Sequence, residues 1–280
     1  MRARPSGLSL SELPTAAAST ADHLHRSLSA ILGDDLVAMW VDGGTTFPDR
    51  PLVPGDLDVV VVVDRLTADE RDPDRWSPEP DSRPARVVAA QLSAEAEHQA
   101  SIDASYLVLG EMGGHERPGD AFFSARRHNR WPVVRAHWLA GQYVHLHGRH
   151  PEELVVAPRE EDLRRALSRE VEHLERHVYE GDAADPYEAT YAMFSGCRVL
   201  YTLVTGNPVI SKRSAGAWGL GNLPERWHPA IRAAGRSYDG EGSDEDRDLL
   251  RKTMPPFFEM VRHRLPLDEP RPAGQVPRWG

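Results

Sequence analysis

The feature that most constrains this chain is an Asp-Leu-Asp triplet, residues 56–58, that leads directly into five consecutive valines, residues 59–63. Side chains alternate between the two faces of an extended strand, so Asp56 and Asp58 point the same way and Leu57 points to the other side. Two carboxylates held side by side repel each other unless a cation neutralises them. The triplet therefore predicts either a Mg²⁺ site, which is typical of nucleotide chemistry, or two acids that simply face water at a strand end.

A glycine- and hydroxyl-rich segment precedes the triplet. Residues 40–46 read Trp-Val-Asp-Gly-Gly-Thr-Thr, and within them we expect Gly44 and Thr45 to lie against a phosphate. Glycine lets the backbone approach a phosphate closely, so that amide N–H groups can donate to it. The segment is not a P-loop, because no Gly-Lys-Ser/Thr follows, and it lacks the glycine spacing of a dinucleotide-binding fingerprint.

A third carboxylate is expected on a neighbouring strand. Residues 100–108 alternate well enough to form a strand, with Asp103 on the same face as Ser101 and Ser105. Asp103 is then a candidate metal ligand, or the general base that takes a proton from an attacking hydroxyl, and the pattern alone does not separate these roles. A solvated polar face on an edge strand is the alternative.

The composition of the chain limits the cellular compartment and the classes of binding partner that we expect. The chain has 280 residues and a mass of 31.2 kDa, enough for two modest domains. A formal charge of -10 and a pI near 5.7 argue against nucleic acid and favour a small cationic or neutral substrate. The single cysteine, Cys197, excludes an intrachain disulfide and fits a reducing compartment. No signal peptide or membrane span is recognisable, so we expect a cytoplasmic protein.

The pattern of apolar residues changes along the chain. The N-terminal part predicts a helix at 8–32, strands at Leu36–Val41 and Leu57–Val63, and a solvated loop at 69–84. Beyond residue 158 the pattern is helical, and between 163 and 178 apolar residues recur in steps of four and three. Further helices are predicted at 191–204, 215–223 and 245–265.

These patterns predict an α+β fold with two domains. The first, residues 1–157, is expected to be an α/β domain built on a small mixed sheet. The second, residues 158–280, is expected to be an all-α helical bundle. Ligands often bind between domains, so we expect the substrates to bind in a cleft between these two.

The C-terminal part resembles a known family of proteins. Its motifs are CRVLYTLVTG at 197–206, SK at 211–212, AGAW at 215–218, LP at 223–224 and WHP at 227–229. They are similar to the C-terminal domain of the aminoglycoside adenylyltransferases that modify streptomycin and spectinomycin. The N-terminal Gly-Thr and Asp-Leu-Asp motifs resemble the nucleotidyltransferase domain of the same family, which belongs to a broad nucleotidyltransferase superfamily. The resemblance spans residues 36–265.

The resemblance implies a role for individual positions. Gly44 and Thr45 stand where the family has Gly-Ser, and Asp103 stands where it has a glutamate proposed as the base. The matched positions, taken together, imply metal binding by Asp56, Asp58 and Asp103, catalysis by Asp103, and nucleotide binding by Gly44, Thr45, Arg198, Lys212 and Tyr238. The alternatives are an ordinary surface ion pair for Arg198, an exposed lysine at 212 and a packing role for Tyr238.

An acidic cluster near residue 180 is the candidate for acceptor recognition. It contains Tyr179, Glu180, Asp182, Asp185 and Glu188, and acids beside an aromatic ring suit ammonium or guanidinium groups. The resemblance implies substrate binding by Tyr179, Asp185 and Glu188. Glu188 falls where the family presents an acid to the aminoglycoside, and Tyr179 where streptomycin-accepting members have tryptophan. A solvated loop between helices is the alternative.

The sequence therefore predicts an ATP-dependent nucleotidyltransferase that uses two Mg²⁺ ions. It would move AMP to a hydroxyl of a small polar acceptor, with an aminoglycoside or aminocyclitol antibiotic as the first choice. Two alternatives stay open. The acceptor is another metabolite, a nucleic-acid end or a protein, or the chain is a nucleotide-binding regulator without turnover.

Overall fold

The structure is a computed structural model, and it describes residues 7–50, 56–65, 81–115, 131–180 and 186–265. Side chains are described for these residues except 177–180 and 186–188. Contacts divide the chain into two units. The N-terminal unit comprises Met1–Pro48 and Pro54–Pro158, and the helical unit comprises Asp49–Val53 and Arg159–Gly280.

The N-terminal unit is built on a four-stranded mixed sheet. Its strands are β1 (Leu36–Val41), β2 (Leu57–Val63), β3 (Ile102–Val108) and β4 (Val144–Gly148), in the spatial order β3-β2-β1-β4. β1 is antiparallel to both β2 and β4, and β3 runs parallel to β2. The helices of this unit are α1 (Thr15–Leu32), α2 (Arg83–His98), α3 (Leu109–Met112) and α4 (Trp131–Leu139).

Both faces of this sheet are covered, which explains the unbroken valine run of β2. On one face, Val59 and Val61 pack in a cluster with Leu24 of α1 and Val87 of α2. The opposite face buries a second cluster with α3 and α4, whose members are Trp40, Val60, Val62, Leu107, Met112, Trp131 and Trp138. β2 is therefore buried on both faces. This packing fixes the position of its first residues, at the end of the sheet where the strand begins.

The helical unit contains α5 (Glu160–Glu180), α6 (Pro186–Thr205), α7 (Lys212–Asn222), α8 (His228–Tyr238) and α9 (Asp244–Arg264). Its core brings together buried residues of all five helices, among them Leu174, Cys197, Ala215, Ile231 and Phe257. Side-chain caps define several helix starts. Ser211 accepts a hydrogen bond from the amide of Ser214 at α7, and Ser243 forms a capping box with Asp246 at α9.

The fold confirms the α+β prediction, with differences at element boundaries. The predicted helix 8–32 begins only at Thr15, because Pro14 disfavours helical geometry in the residue before it; a short 3₁₀ helix, Leu10–Glu12, precedes it. The predicted loop 69–84 ends earlier than expected, since Ser82 caps α2 and Pro84 lies in its first turn. Residues 69–80 of that loop lie outside the described residues.

Several elements had no sequence prediction, among them α8 and β4. α8 begins at His228-Pro229, a position where proline favours a helix start, and β4 carries three polar or small residues in five. The helix predicted at 215–223 starts at Lys212 because Ser211 is its cap. In the described part of the chain, no helix is long and apolar enough to cross a membrane.

Candidate functional site

Three aspartates lie at one edge of the sheet. β1 ends where β2 and β3 begin, because β1 is antiparallel to β2 and β3 is parallel to it. Asp42 directly follows β1, while Asp58 and Asp103 are the second residues of β2 and β3. Asp58 and Asp103 are direct partners in the parallel register, so their side chains lie side by side on the same face. The sequence placed Asp58 and Asp103 on adjacent strands, but did not select Asp42.

Gly43 makes room for the Asp58 carboxylate. Gly43 has a φ of +71°, and a Cβ atom added to it would lie 1.8 Å from Oδ2 of Asp58. The same turn is tied to β2 by the amide of Asp42, which donates to the carbonyl oxygen of Asp58 at 3.0 Å. Gly44, which the sequence analysis selected, has open space around it. The glycine that shapes the site is therefore Gly43, and the one beside it is free to face a ligand.

Asp42 is an acid in an unfavourable environment. Its Oδ2 accepts a hydrogen bond from Nε1 of Trp138 at 2.7 Å. Burial raises the pKa of Asp42 to about 6, and the negative charge of Asp103 acts in the same direction, while the bond from Trp138 partly opposes both. The signal for Asp42 was present in the alternation of β1, which places it on the same face as Trp40.

Asp56 lies just before β2 and is exposed. The hydrogen bonding between β2 and β3 begins next to Asp56, because the amide of Leu57 donates to the carbonyl oxygen of Ser101 at 2.8 Å. The carboxylates of Asp56, Asp58 and Asp103 do not converge on one point, since no three of the described acids at this edge have oxygens within 4.8 Å of one another. Oxygen ligands nevertheless fit Mg²⁺, which needs only one or two protein carboxylates.

The turn after β1 is a short 3₁₀ helix, Gly43–Thr46. The hydroxyl of Thr45 donates to the carbonyl oxygen of Asp42 at 3.3 Å, and that of Thr46 to the carbonyl oxygen of Gly43 at 2.8 Å. The side-chain amide of Gln142 holds the turn from outside, donating to the carbonyl oxygen of Thr46 at 2.5 Å. Thr46 is buried and structural, whereas Thr45 is only partly buried. The phosphate-binding role of Thr45 stays a prediction.

Lys212 of the helical unit lies at the start of α7, over an aromatic ring. Its Nζ is 4.5 Å from the centroid of Tyr191 in α6. Arg198 is about two turns further along α6, so it projects from the same face of that helix as Tyr191. Both cations are partly buried. The structure therefore places Lys212 against the face of α6 that carries Arg198.

Asp49 holds the turn that presents Lys212. The hydroxyls of Ser211 and Ser214 each donate to Oδ2 of Asp49 at 2.5 Å, and Nε of Arg213 donates to its carbonyl oxygen at 3.0 Å. These four residues fix the first turn of α7. The sequence analysis missed Asp49, because it is far from α7 in the chain and carries no motif.

Tyr238 has a packing role. Its ring lies edge-on to Phe194, with centroids 5.4 Å apart, and 5.5 Å beneath the guanidinium of Arg213. Arg213 is paired with Asp239, which raises the pKa of the guanidinium. These contacts agree with the packing alternative that the sequence left open for Tyr238, and its contact with a nucleotide stays a prediction.

Three residues, Tyr179, Asp185 and Glu188, are predicted to bind the acceptor. Tyr179 lies in the last turn of α5 and Glu188 in the first turn of α6, but their side chains lie outside the described residues, as does all of Asp185. Their role stays a prediction.

Comparison with known proteins identifies the helical unit. Residues 154–263 match the family model described as aminoglycoside adenylyltransferase, C-terminal domain. Residues 154–263 are therefore similar to the C-terminal domain of the aminoglycoside adenylyltransferases. This match confirms the family resemblance seen in the motifs of that domain. A comparison with curated protein sequences gave no significant match.

The fold of the chain also matches a solved structure over most of its length. The crystal structure of spectinomycin adenyltransferase AAD(9) from Enterococcus faecialis, determined with ATP and spectinomycin, superposes with a TM-score of 0.67 at 16% sequence identity. The match covers 87% of this chain and 98% of that one. At this identity the likeness establishes the fold alone, a unit built on a small mixed sheet followed by a helical unit.

The two adjacent glycines provide a test of the site's geometry. We predict that Gly43→Ala lowers the free energy of unfolding by about 1–3 kcal/mol, because alanine is strained at positive φ and its Cβ displaces Asp58. Gly44→Ala is the matched control and should change it by less than about 0.5 kcal/mol. Urea unfolding followed by tryptophan fluorescence measures both. Equal effects of the two substitutions would contradict the placement of Asp58 over Gly43.

Proposed function

We propose that this protein is an ATP-dependent nucleotidyltransferase that transfers AMP to a hydroxyl of an aminoglycoside or aminocyclitol antibiotic. The acceptor oxygen forms a bond to the α-phosphorus of ATP, and the bond to pyrophosphate breaks. The family match of the helical unit and the fold shared with AAD(9) support this assignment. The observation that carries it is the register of Asp58 directly beside Asp103, with Asp42 on the same edge.

Asp58, with Asp56 or Asp103, is the set that we propose for Mg²⁺. The donors are carboxylates at one end of a packed sheet, where burial, with a smaller contribution from the charge of Asp103, raises the pKa of the neighbouring Asp42. Bound at this edge, Mg²⁺ supplies Lewis-acid activation of the α-phosphate and stabilises the leaving pyrophosphate. We propose that two Mg²⁺ ions bind, and a metal titration measures their number.

The chain's own groups supply positioning and proton transfer. We assign the amides around Gly44 and the hydroxyl of Thr45 to contacts with phosphate oxygens, because this glycine is unobstructed. Asp103 is the candidate general base for the acceptor hydroxyl. Orientation and charge neutralisation are expected to contribute most of the rate enhancement, as in other transfers at phosphorus.

The helical unit contributes cations. Lys212 and Arg198 are proposed to neutralise phosphate charge, since an ammonium and a guanidinium are the usual partners of phosphate oxygens. The cation–π contact with Tyr191 and the Asp49 network hold Lys212 in a defined position. A positioned cation of this kind suits a ligand that arrives with negative charge.

The acceptor is proposed to be cationic. Tyr179, Asp185 and Glu188 belong to an acidic segment, and acids recognise the ammonium groups of these antibiotics. Spectinomycin is the first acceptor to test, because tyrosine replaces the tryptophan that streptomycin-accepting relatives carry at position 179.

Asp58→Asn tests the catalytic assignment. We predict that it lowers kcat/KM at least about 100-fold, because an amide cannot supply the charge that binds the cation. Asp64→Asn is the matched control, since Asp64 is an exposed acid at the opposite end of β2, and its activity should stay within about twofold of the native value. The assay follows pyrophosphate release and the mass increase of the antibiotic with ATP and Mg²⁺.

The same assay separates the alternatives. Native turnover in Asp58→Asn would contradict the metal role of Asp58. Labelling of another metabolite, a nucleic-acid end or a protein, but of no aminoglycoside or aminocyclitol, would overturn the proposed acceptor. Magnesium-dependent ATP binding without pyrophosphate release under any acceptor would instead indicate a nucleotide-binding regulator.

The only two lysines of the chain give a second test. We predict that Lys212→Ala raises the Kd for ATP at least about tenfold, because a positioned cation on the phosphates is lost. Lys252→Ala, which removes an exposed lysine of α9, should leave the Kd unchanged. Isothermal titration calorimetry with ATP and Mg²⁺ measures both. Equal Kd values for the two variants would contradict the proposed contact between Lys212 and the phosphates of ATP.

A further inference from the structure

A second group of potential metal ligands lies on the opposite face of the sheet. His23 of α1 faces Glu97 and His98 at the end of α2. The Nδ1 atom of His23 is 3.0 Å from Oε2 of Glu97, and Nε2 of His98 is 3.8 Å from Oε1 of Glu97. The two imidazole rings are perpendicular, with centroids 5.6 Å apart. One donor atom of each residue lies within 4.8 Å of the other two.

The convergence of these side chains is unusual for their positions. Neighbouring residues of a helix normally point in different directions, yet Glu97 and His98 both reach His23. This is possible because His98 is the last residue of α2 and Gln99, with a φ of +51°, turns the chain away. The two histidine side chains are only 17% and 21% exposed, while that of Glu97 is 62% exposed.

We propose that His23, Glu97 and His98 bind a Zn²⁺ ion that links α1 to α2. Zn²⁺ is bound by two imidazole nitrogens and one carboxylate oxygen in known sites, with bonds of about 2.0–2.2 Å. Ligand atoms around a tetrahedral ion are then about 3.3–3.6 Å apart, between the 3.0 Å that separates His23 from one oxygen of Glu97 and the 3.8 Å that separates His98 from the other. The fourth position is left to water. Imidazole ligands distinguish this site from the all-oxygen edge proposed for Mg²⁺.

An ion bound at this site can also stabilise the turn between α2 and β3, the strand that carries Asp103. The last turn of α2 already holds the start of β3, because the amide of Ile102 donates to Oε1 of Glu95 at 2.9 Å and Gln91 donates to the carbonyl oxygen of Ile102 at 3.0 Å. An ion that fixes the end of α2 against α1 therefore also fixes the turn that leads into β3. Binding to the folded state alone raises stability with ion concentration.

The test uses the full chain without a polyhistidine tag, stripped of metal and titrated with Zn²⁺ by calorimetry. We expect His23→Asn and His98→Asn each to weaken the assigned Zn²⁺ site at least about tenfold, and to abolish the increase in melting temperature that Zn²⁺ gives the native protein. Co²⁺ bound at the site should give the intense visible absorption of a tetrahedral complex, and this band should disappear in both variants.

Two controls make the outcome specific to this group. His25→Asn removes a histidine of the same helix, whose Nε2 lies 3.3 Å from Nδ1 of His147, and should leave the Zn²⁺ site intact. Asp58→Asn should also leave it intact, so a failure here is separable from a failure of the proposed catalysis. Native Zn²⁺ affinity in both His23→Asn and His98→Asn, or loss of the site in His25→Asn instead, would overturn the proposal. Circular dichroism without metal confirms that each variant is folded.

Discussion

The repulsion among carboxylates at one edge of the sheet is the constraint on which the site depends. Asp58 and Asp103 are neighbours in a parallel register, and the charge of Asp103 contributes to the raised pKa of Asp42. In the absence of a cation such an arrangement costs free energy, because acids in a partly buried place repel each other and lose water. A sheet that places Asp58 directly beside Asp103, with Asp42 at the same end, is therefore suited to a ligand that brings positive charge, and this is the basis for proposing a metal-dependent transfer.

The surrounding structure maintains this arrangement. Strand topology brings the end of β1 to the starts of β2 and β3, so residues distant in sequence meet at one edge. Trp138 fixes one oxygen of Asp42, and the missing side chain of Gly43 leaves space for Asp58. The valine run and the tryptophans of the covering helices make the support rigid. The unfavourable burial of Asp42 is thus offset by a well-packed core, as is common at functional sites.

Much of this was predictable from the sequence, and the limits have physical causes. The strands Leu36–Val41 and Leu57–Val63 were predicted correctly, because short apolar runs rich in β-branched residues are typical of buried strands. Asp103 could be placed beside Asp58 once its strand was recognised. Asp42 and Gly43 were missed as site residues because their roles depend on Trp138 and Asp58, which are remote in sequence. The start of α2 was missed because a serine cap and a proline define it, and α8 was missed because its buried face consists mostly of small alanines.

The most direct measurement of the central claim is the position of the ion. Crystals grown with Mn²⁺ in place of Mg²⁺ and a non-hydrolysable ATP analogue would locate the ion by its anomalous scattering. We predict a peak about 2.2 Å from a carboxylate oxygen of Asp58 and of a second acid among Asp56 and Asp103, with phosphate oxygens completing its ligands. A peak bound only by phosphates and water, or an Asp58 carboxylate turned away from the ion, would contradict the claim.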